Sequence, residues 1–112
     1  MGLRDRLRRE KPGVPRQAVS ADTAHLEQFA ASRRGVEGFV EPETPTTSTT
    51  LVLVAADGEW TRRRIDSMKA AFVLGRKLAI PVYDVAATGY PPRMREWTAA
   101  RKAAGKGSST LD

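Results

Sequence analysis

The residues best suited to chemistry lie on one predicted strand, where a tryptophan is followed closely by three arginines. In Trp60-Thr-Arg-Arg-Arg64, alternate side chains point to the same face of a strand, so Trp60, Arg62 and Arg64 share one side. An indole ring beside two guanidinium groups could stack on a nucleic-acid base and contact phosphates. The alternative is a solvated charged strand whose tryptophan belongs to the core. The exposure of Trp60 decides between these two interpretations.

A second basic segment, Gly89-Tyr-Pro-Pro-Arg-Met-Arg-Glu-Trp97, has an aromatic residue towards each end and Arg93 and Arg95 between them. These two arginines are further candidates for contact with nucleic acid or with an acidic protein surface. The segment could dock on a partner or fold back and pack on its own domain. Packing is favoured, because exposed Tyr, Met and Trp side chains together would form an adhesive patch.

Two carboxylates, Asp66 and Asp84, are weak candidates for a metal site or for acid and base roles. If the strands that precede them run parallel, both lie at carboxyl ends of strands, where open α/β sheets tend to bind ligands. Paired carboxylates there could hold a divalent cation or share proton transfer. The favoured alternative is structural, with Asp66 as a helix cap and Asp84 as a turn residue at a strand end.

Other chemistries have little support in the sequence. There is no cysteine, and His25 is the only histidine, so a His or Cys metal site is not expected. No Walker loop, Gly-x-Gly-x-x-Gly fingerprint or nucleophile elbow occurs, and neither a cofactor nor a catalytic residue is predicted.

The lack of cysteine fits a reducing compartment, which favours the cytoplasm. No apolar run approaches the roughly 20 residues that a membrane span needs.

Charge is concentrated at the two ends of this small basic chain. Residues 1–20 hold six basic and two acidic residues, and residues 91–112 hold five and two, out of a net charge of +6. We expect a flexible basic N-terminal tail over 1–20, a single domain over 21–98, and a helix end with a flexible tail over 99–112. Basic ends would attract nucleic acid, ribosomes or acidic proteins, although solvated tails explain them equally well.

The elements that must position these residues follow from hydrophobic spacing and turn residues. We expect an α/β (α+β) fold with two main helices and a mixed sheet of three or four strands, including a central β-hairpin and a β-α-β crossover. Asp22 is the expected cap of the first helix. The predicted elements are a helix over 22–34, strands over 36–41, 47–56 and 59–65, a helix over 67–78, a strand over 80–85 and a short basic helix from Pro92. Pro81 indicates that the strand over 80–85 lies at a sheet edge or that the proline is near the start of the strand.

The hairpin is the clearest local signal, because Asp57-Gly58 is typical of a two-residue type I′ turn. That turn pairs Ala55 with Trp60 and Leu53 with Arg62. Leu53 would then share the face of Trp60, and Val52 and Val54 would lie on the other face. Because the arginines alternate over both sides, the return strand cannot be wholly core, and one face is expected to meet solvent or a partner.

Four stretches resemble a family of short actinobacterial proteins over most of residues 25–97. They are Gly58-Glu-Trp-Thr-Arg-Arg-Arg-Ile-Asp66, Gly75-Arg-Lys-Leu-Ala-Ile-Pro-Val-Tyr-Asp84 and Gly89-Tyr-Pro-Pro-Arg-Met-Arg95, together with Lys69-Ala-Ala. The activity of that family is not characterised, and some members carry the label oxidoreductase. This chain has no flavin, nicotinamide or thiol motif, so the resemblance implies relatives and not an activity.

The order of a helix, three strands and a helix that starts Ser67-Met-Lys-Ala-Ala is similar to a double-stranded-RNA-binding domain. That family has a Lys-Lys pair at the start of its last helix and usually ends there. Here only Lys69 is present and a further strand follows, so the likeness is one of element order alone.

The sequence therefore favours a non-enzymatic binding domain that contacts nucleic acid or a ribonucleoprotein through basic and aromatic residues. One alternative is a protein-interaction or assembly module that uses the segment 89–97 or a sheet edge. The other is an enzyme that uses Asp66 and Asp84. The ligand, the partner and the oligomeric state are not predicted.

Overall fold

The structure, a computed structural model, describes residues 16–105 and the side chains from residue 20 onward. Four helices and four strands lie in this part of the chain. In order they are α1 (Arg16–Ser32), β1 (Glu37–Glu41), β2 (Thr50–Val54), β3 (Trp60–Arg64), α2 (Met68–Leu78), β4 (Val82–Asp84), α3 (Val85–Thr88) and α4 (Pro92–Ala103).

The four strands form one mixed sheet in the order β3-β2-β1-β4. β2 is antiparallel to both β1 and β3, whereas β4 is parallel to β1. The predicted mixed α+β fold is confirmed, including the hairpin and the placement of β4 at an edge. β3 and β4 run in the same direction, as a β-α-β crossover requires, but α2 carries the chain past β2 and β1 to the opposite edge.

One face of the sheet packs against α1 and α2. Hydrophobic positions three and four residues apart on α1 put Leu26 and Phe29 on a single stripe that meets the sheet. Ser67 caps α2, because its side chain accepts a hydrogen bond from the backbone N–H of Ala70. The cap expected at Asp66 is therefore one residue further along the chain. The buried side chains on this side are Leu26, Phe29, Val36, Val40, Leu51, Leu53, Ala55, Ile65, Ala71 and Leu74.

The opposite face is also covered. Val85 of α3 and Met94 and Trp97 of α4 pack against a second buried cluster, which consists of Phe39, Val52, Val54 and Trp60. The expectation that one face of the sheet stays open is therefore wrong over the central part of the sheet. The arginines of β3 are accommodated because they lie at the far end of an edge strand.

The hairpin register differs from the prediction by one residue. Val54 pairs with Trp60, and Ala55 and Glu59 close the loop through a 2.8 Å hydrogen bond. Gly58 has a φ of +97° but Asp57 does not have a positive φ, which excludes a type I′ turn. The loop is instead a three-residue one that ends in a left-handed glycine. The shift moves Val52 and Val54 to the Trp60 face, and Leu51 and Leu53 to the face of α1 and α2.

The chain ends also differ from expectation. α1 begins at Arg16, so residues 16–20 belong to a helix and not to the predicted tail. Asp22 lies inside that helix and does not cap it. The remainder of both predicted tails, residues 1–15 and 106–112, lies outside the described residues. Within residues 16–105, no helix is both long enough and apolar enough to cross a membrane.

Candidate functional site

Trp60 lies under α4 and is only 6% exposed. Its Nε1–H donates a 2.8 Å hydrogen bond to Oγ1 of Thr98, so the polar edge of the indole is satisfied inside the domain. A ring covered in this way offers no face to a nucleic-acid base. Trp60 therefore belongs to the core, and the stacking surface that the sequence suggested is not present in this arrangement.

Arg93 and Arg95, the two candidates on α4, have different surroundings in the structure. Arg93 donates from Nε to the carbonyl oxygen of Ala55 at 2.9 Å and from Nη2 to Oε1 of Glu37 at 2.7 Å. It therefore anchors α4 to the hairpin. Arg95 is exposed on α4. The segment 89–97 folds back and packs, as favoured, through Met94 and Trp97.

The hairpin turn accommodates α4 because residue 58 has no side chain. A Cβ atom at Gly58 would lie 2.2 Å from the carbonyl oxygen of Arg93 and 2.8 Å from Cβ of Trp97. Both distances are far shorter than van der Waals contact allows. The helix α4 could therefore not lie this close to the turn if residue 58 were anything other than glycine. The same glycine thus serves the turn, through its positive φ, and the cover over Trp60.

Arg62 is held in place at the boundary between the core and solvent. It makes a two-point contact with Glu41, with Nε and Nη2 donating at 2.9 and 3.0 Å, and its guanidinium carbon lies 5.4 Å from the centre of the Trp60 ring. Glu41 also accepts hydrogen bonds from the hydroxyl groups of Thr50 and Tyr90. These contacts fix the orientation of the Arg62 side chain before any ligand arrives.

The electrostatics of this group follow from its hydrogen bonds. Burial alone would raise the pKa of Glu41, but the hydrogen bonds from Arg62, Thr50 and Tyr90 outweigh burial and hold the pKa below its ordinary value. Burial, followed by the contact with Glu41, raises the pKa of Tyr90. The Glu41 carboxylate is therefore ionised at neutral pH, and the Tyr90 phenol keeps its proton.

Arg63 and Arg64 reach α1. Nε of Arg64 lies 3.3 Å from one carboxylate oxygen of Asp22, and Nε of Arg63 lies 3.7 Å from the other. Next to Asp22 on the same face of α1, Nε2 of His25 shares a 2.7 Å hydrogen bond with the hydroxyl group of Thr61. Asp22 and His25 therefore join α1 to the outer strand of the sheet.

An open cavity of about 550 Å³ lies between α1 and β3, and we call it the arginine cavity. Its lining residues are Ala21, Asp22, His25, Thr50, Arg62, Arg63 and Arg64. Within the described residues, the three guanidinium groups face the carboxylates of Asp22 and Glu41, which leaves one excess positive charge among these five groups. Arginine forks of this kind recognise phosphate and carboxylate groups. The arginine cavity is thus suited to an anion.

The two candidate acids do not meet. Asp66 follows β3 and Asp84 ends β4, and these strands form opposite edges of the sheet. Three strand spacings put them about 14 Å apart, too far to share one cation. Asp84 instead caps α3 by accepting from the backbone N–H of Ala86 at 2.9 Å. No group of three or more His, Asp or Glu that could hold a metal ion occurs in the part of the chain that the structure describes.

Of the arginine cavity and its support, Asp22, His25, Arg63 and Glu41 were not singled out from the sequence as site residues. Asp22 and His25 are three residues apart, and this spacing alone could have placed them on one face of α1. Glu41 gives no comparable signal, because its contact with Arg62 joins strands that are not neighbours in the sheet.

Comparison with known proteins identifies no relative of this chain. No protein-family model matches it, and no curated protein or solved structure is significantly similar to it. The roles of the arginines are therefore inferred from their own contacts.

Proposed function

We propose that this chain is a non-enzymatic binding domain of the cytoplasm that contacts nucleic acid through the arginine cavity. One observation carries the proposal: three consecutive arginines of an edge strand line a single open cavity. Guanidinium groups bind phosphate oxygens in pairs, and the phosphate backbone is the anion that nucleic acids present on every sequence.

The cover over Trp60 changes the kind of contact that this proposal predicts. With the indole ring inside the core, base stacking by Trp60 has no part in binding. The interaction is then made with phosphates, so it depends on charge and not on base sequence. RNA and DNA of the same length and strandedness should bind with similar affinity.

The support around Arg62 favours binding, because an arginine that is already ordered loses less conformational freedom when it meets a ligand. Glu41 and the Trp60 ring hold its guanidinium group. Arg64 complements it, since 44% of its side chain is exposed and one nitrogen contacts Asp22. The arginine cavity thus combines an ordered arginine, whose Nε and Nη2 are bonded to Glu41 and which acts through its charge, with an accessible donor, Arg64.

The proposal is tested by titrating a labelled single-stranded oligonucleotide, as RNA and as DNA, at about 50 and about 200 mM salt. Contact with three phosphates predicts a slope near −2 for the logarithm of affinity against that of salt, or about a 20-fold loss over this range. The absence of binding at the lower salt concentration would exclude the proposed function.

Matched variants locate the contact. Arg64→Gln should lower affinity about tenfold and make the salt slope shallower by about 0.7. Arg76→Gln is the control, because it removes the same charge from an exposed position on α2. It should change affinity less than about twofold by its share of the overall charge. Equal losses in both variants would show a diffuse attraction and no defined site.

A second candidate, a protein-interaction surface, is favoured by the tyrosines near β4. Tyr83 and Tyr90 are 36% and 42% exposed, and tyrosine is enriched in protein interfaces. Recovery of one specific protein after nuclease treatment, and its loss with Tyr83→Ser, would support this function. A partner that Tyr83→Ser retains would argue against this surface.

A further inference from the structure

The loop that joins β1 to β2 is rich in hydroxyl groups and lies at the surface. It runs over residues 42–49, and four of these eight residues are threonine and one is serine. Residues 42–47 are all exposed. Exposed loop tips are the places where enzymes that act on proteins reach the chain most readily. The loop is therefore a candidate for covalent modification at one of its hydroxyl groups.

The hydrogen bonds of the loop single out one hydroxyl group. Thr44 and Thr47 face each other across a tight turn, with their hydroxyl oxygens 2.6 Å apart, and the backbone N–H of Thr44 donates to the carbonyl oxygen of Thr47 at 2.9 Å. Ser48 is half-buried and Thr49 is buried. Thr46, at the tip of the turn, is exposed, and in the part of the chain that the structure describes its hydroxyl group makes no hydrogen bond.

The turn can open at little cost in free energy. The backbone N–H groups of Thr46 and Thr47 both donate to Oγ1 of Thr44, at 3.3 and 3.0 Å, and all of these groups are at the surface. Water replaces exposed hydrogen bonds readily, so a segment held by them opens locally while the core stays folded. An enzyme can therefore take this segment into its own cleft without disrupting the sheet.

The loop ends at the arginine cavity. Thr50, the first residue of β2, lines the cavity and pairs with Glu41 on one side and with Arg64 on the other. Thr46 is four residues before Thr50, so their Cα atoms are at most about 14 Å apart. This limit is comparable to the distance over which charges act in 0.1 M salt, which is about 10 Å. A charged group on Thr46 can therefore act on the accessible side chain of Arg64.

A phosphate on Thr46 would reverse the charge of this region. The three arginines of β3 and the two carboxylates that contact them leave one excess positive charge. A phosphothreonine carries about 1.5 to 2 negative charges at pH 7. The sum then changes from positive to negative, and the phosphates of a nucleic acid are repelled where they were attracted.

We propose that Thr46 is phosphorylated by a protein kinase, and that the phosphate weakens the contact of the arginine cavity with nucleic acid. This inference rests on the proposed function, because it names how that contact is regulated. The kinase transfers the terminal phosphoryl group of a nucleoside triphosphate to Oγ1 of Thr46. The bond between that phosphorus and the leaving diphosphate breaks, a new P–O bond forms, and the hydroxyl proton passes to a base of the kinase.

Mass spectrometry of the chain tests the site itself. The chain is purified, with phosphatase inhibitors present, from growing and from resting cells that make it. Fragmentation of the loop peptide should place the phosphate on Thr46. Thr46→Val should remove it, whereas Thr47→Val, which changes a neighbouring hydroxyl group of the same turn, should retain it. Phosphate on another residue of the loop, or none in either kind of cell, overturns the inference.

The effect on binding is measured with phosphothreonine incorporated at position 46 during synthesis of the chain. The labelled oligonucleotide that tests the proposed function serves as the probe. At about 50 mM salt the phosphorylated chain should bind at least about tenfold more weakly than the unmodified chain. The difference should shrink to less than about threefold at about 200 mM salt, because the effect is one of charge. Treatment with a phosphatase should restore the affinity.

A matched charge change separates the position of the phosphate from its overall charge. Arg76→Glu replaces one positive by one negative charge at an exposed position on α2, a change about as large as that of the phosphate. It should lower affinity by less than about threefold. An equal loss in this variant, or equal affinity of the phosphorylated and unmodified chains, overturns the inference but leaves nucleic-acid binding standing. No binding of the unmodified chain at low salt removes the proposed function and this inference together.

Discussion

The two ends of β3 carry neighbouring members of one sequence motif but have opposite surroundings. Trp60, at the start of the strand, lies beneath α4 and is buried, whereas Arg64, at its end, contacts Asp22 and faces solvent. Both side chains leave the same face of the strand. The difference shows that alternation along a strand assigns side chains to faces, but cannot say which part of a face is covered.

The cover itself explains where the boundary falls. α4 is attached near the hairpin, where Arg93 binds the carbonyl oxygen of Ala55 and where Gly58 leaves room for the helix. Trp60 is next to this attachment. Arg62 lies two residues further along, at the boundary between the covered and the exposed part of β3. Its guanidinium group contacts the Trp60 ring on one side and Glu41 on the other.

The largest expected effect on stability comes from replacing Trp60, at the buried end of β3. Trp60→Ala should lower the free energy of unfolding by about 3–5 kcal/mol, because it leaves a large cavity under α4. Arg64→Gln should lower it by less than about 0.5 kcal/mol, as expected for an exposed residue. Urea denaturation of both variants checks the pair. Similar values would mean that the two ends of β3 are equally covered.

Gly58→Ala tests whether α4 depends on the turn. A positive φ for a residue with a side chain and the clash with Arg93 and Trp97 each contribute, and because α4 can shift, we expect a total of about 2–3 kcal/mol. Gly89→Ala is the matched control, since Gly89 also has a positive φ but nothing lies within 4 Å of its Cβ position. It should lose about 1–3 kcal/mol from backbone strain alone, because its φ of +71° and ψ of 179° lie in a region that only glycine populates readily.

A distinct fluorescence result should accompany that loss in stability. Trp60 and Trp97 are the two tryptophans of the chain, and displacement of α4 would expose both to a soluble quencher. Gly58→Ala should therefore increase acrylamide quenching, whereas Gly89→Ala should leave it unchanged. Unchanged quenching in both variants would separate the turn from the cover over Trp60.

The smallest effect concerns Glu41, at the transition between the two ends. Its pKa in the folded chain lies below its ordinary value of 4.5, so the unfolded chain takes up the proton first as pH falls. The stability that this group contributes is complete above about pH 4.5, and it is lost as pH falls through the pKa of the folded state.

Glu41→Gln should accordingly lower stability at pH 7 by about 1 kcal/mol, and its loss of stability between pH 5 and pH 3 should be shallower than that of the natural chain. Thermal unfolding measured across this range provides the test. Glu96→Gln is the control, because Glu96 is exposed on α4. A parallel decline in all three proteins would contradict the assignment.

The sequence predicted the elements well, because their signals are local. Ser67 and the apolar spacing after it marked α2, and the β-rich run before Asp57 marked β2. The register of the hairpin was wrong, since Asp57-Gly58 also fits a three-residue loop and the difference of one residue has no local signal. The choice depends on which side chains the helices cover, and that is a property of the whole domain.

The site was partly predictable for the same reason. Arg62 and Arg64 were identified from their type and spacing, and both line the arginine cavity. Trp60 was grouped with them because nothing in the sequence places α4 over the start of β3. Glu41 was missed because its partner lies two strands away in the sheet, at a position that only the assembled fold defines.

The position of β3 at the edge of the sheet has one more consequence, which concerns association between copies of the chain. An edge strand presents unpaired backbone groups that can recruit a strand of another molecule and start aggregation. Here the last three residues of that strand are arginines, so two copies that met edge to edge would bring six guanidinium groups together. Asp22 and Glu41 offset two of the three charges in each copy, and the remaining positive charge per copy should oppose this edge-to-edge contact, which an apolar edge would favour.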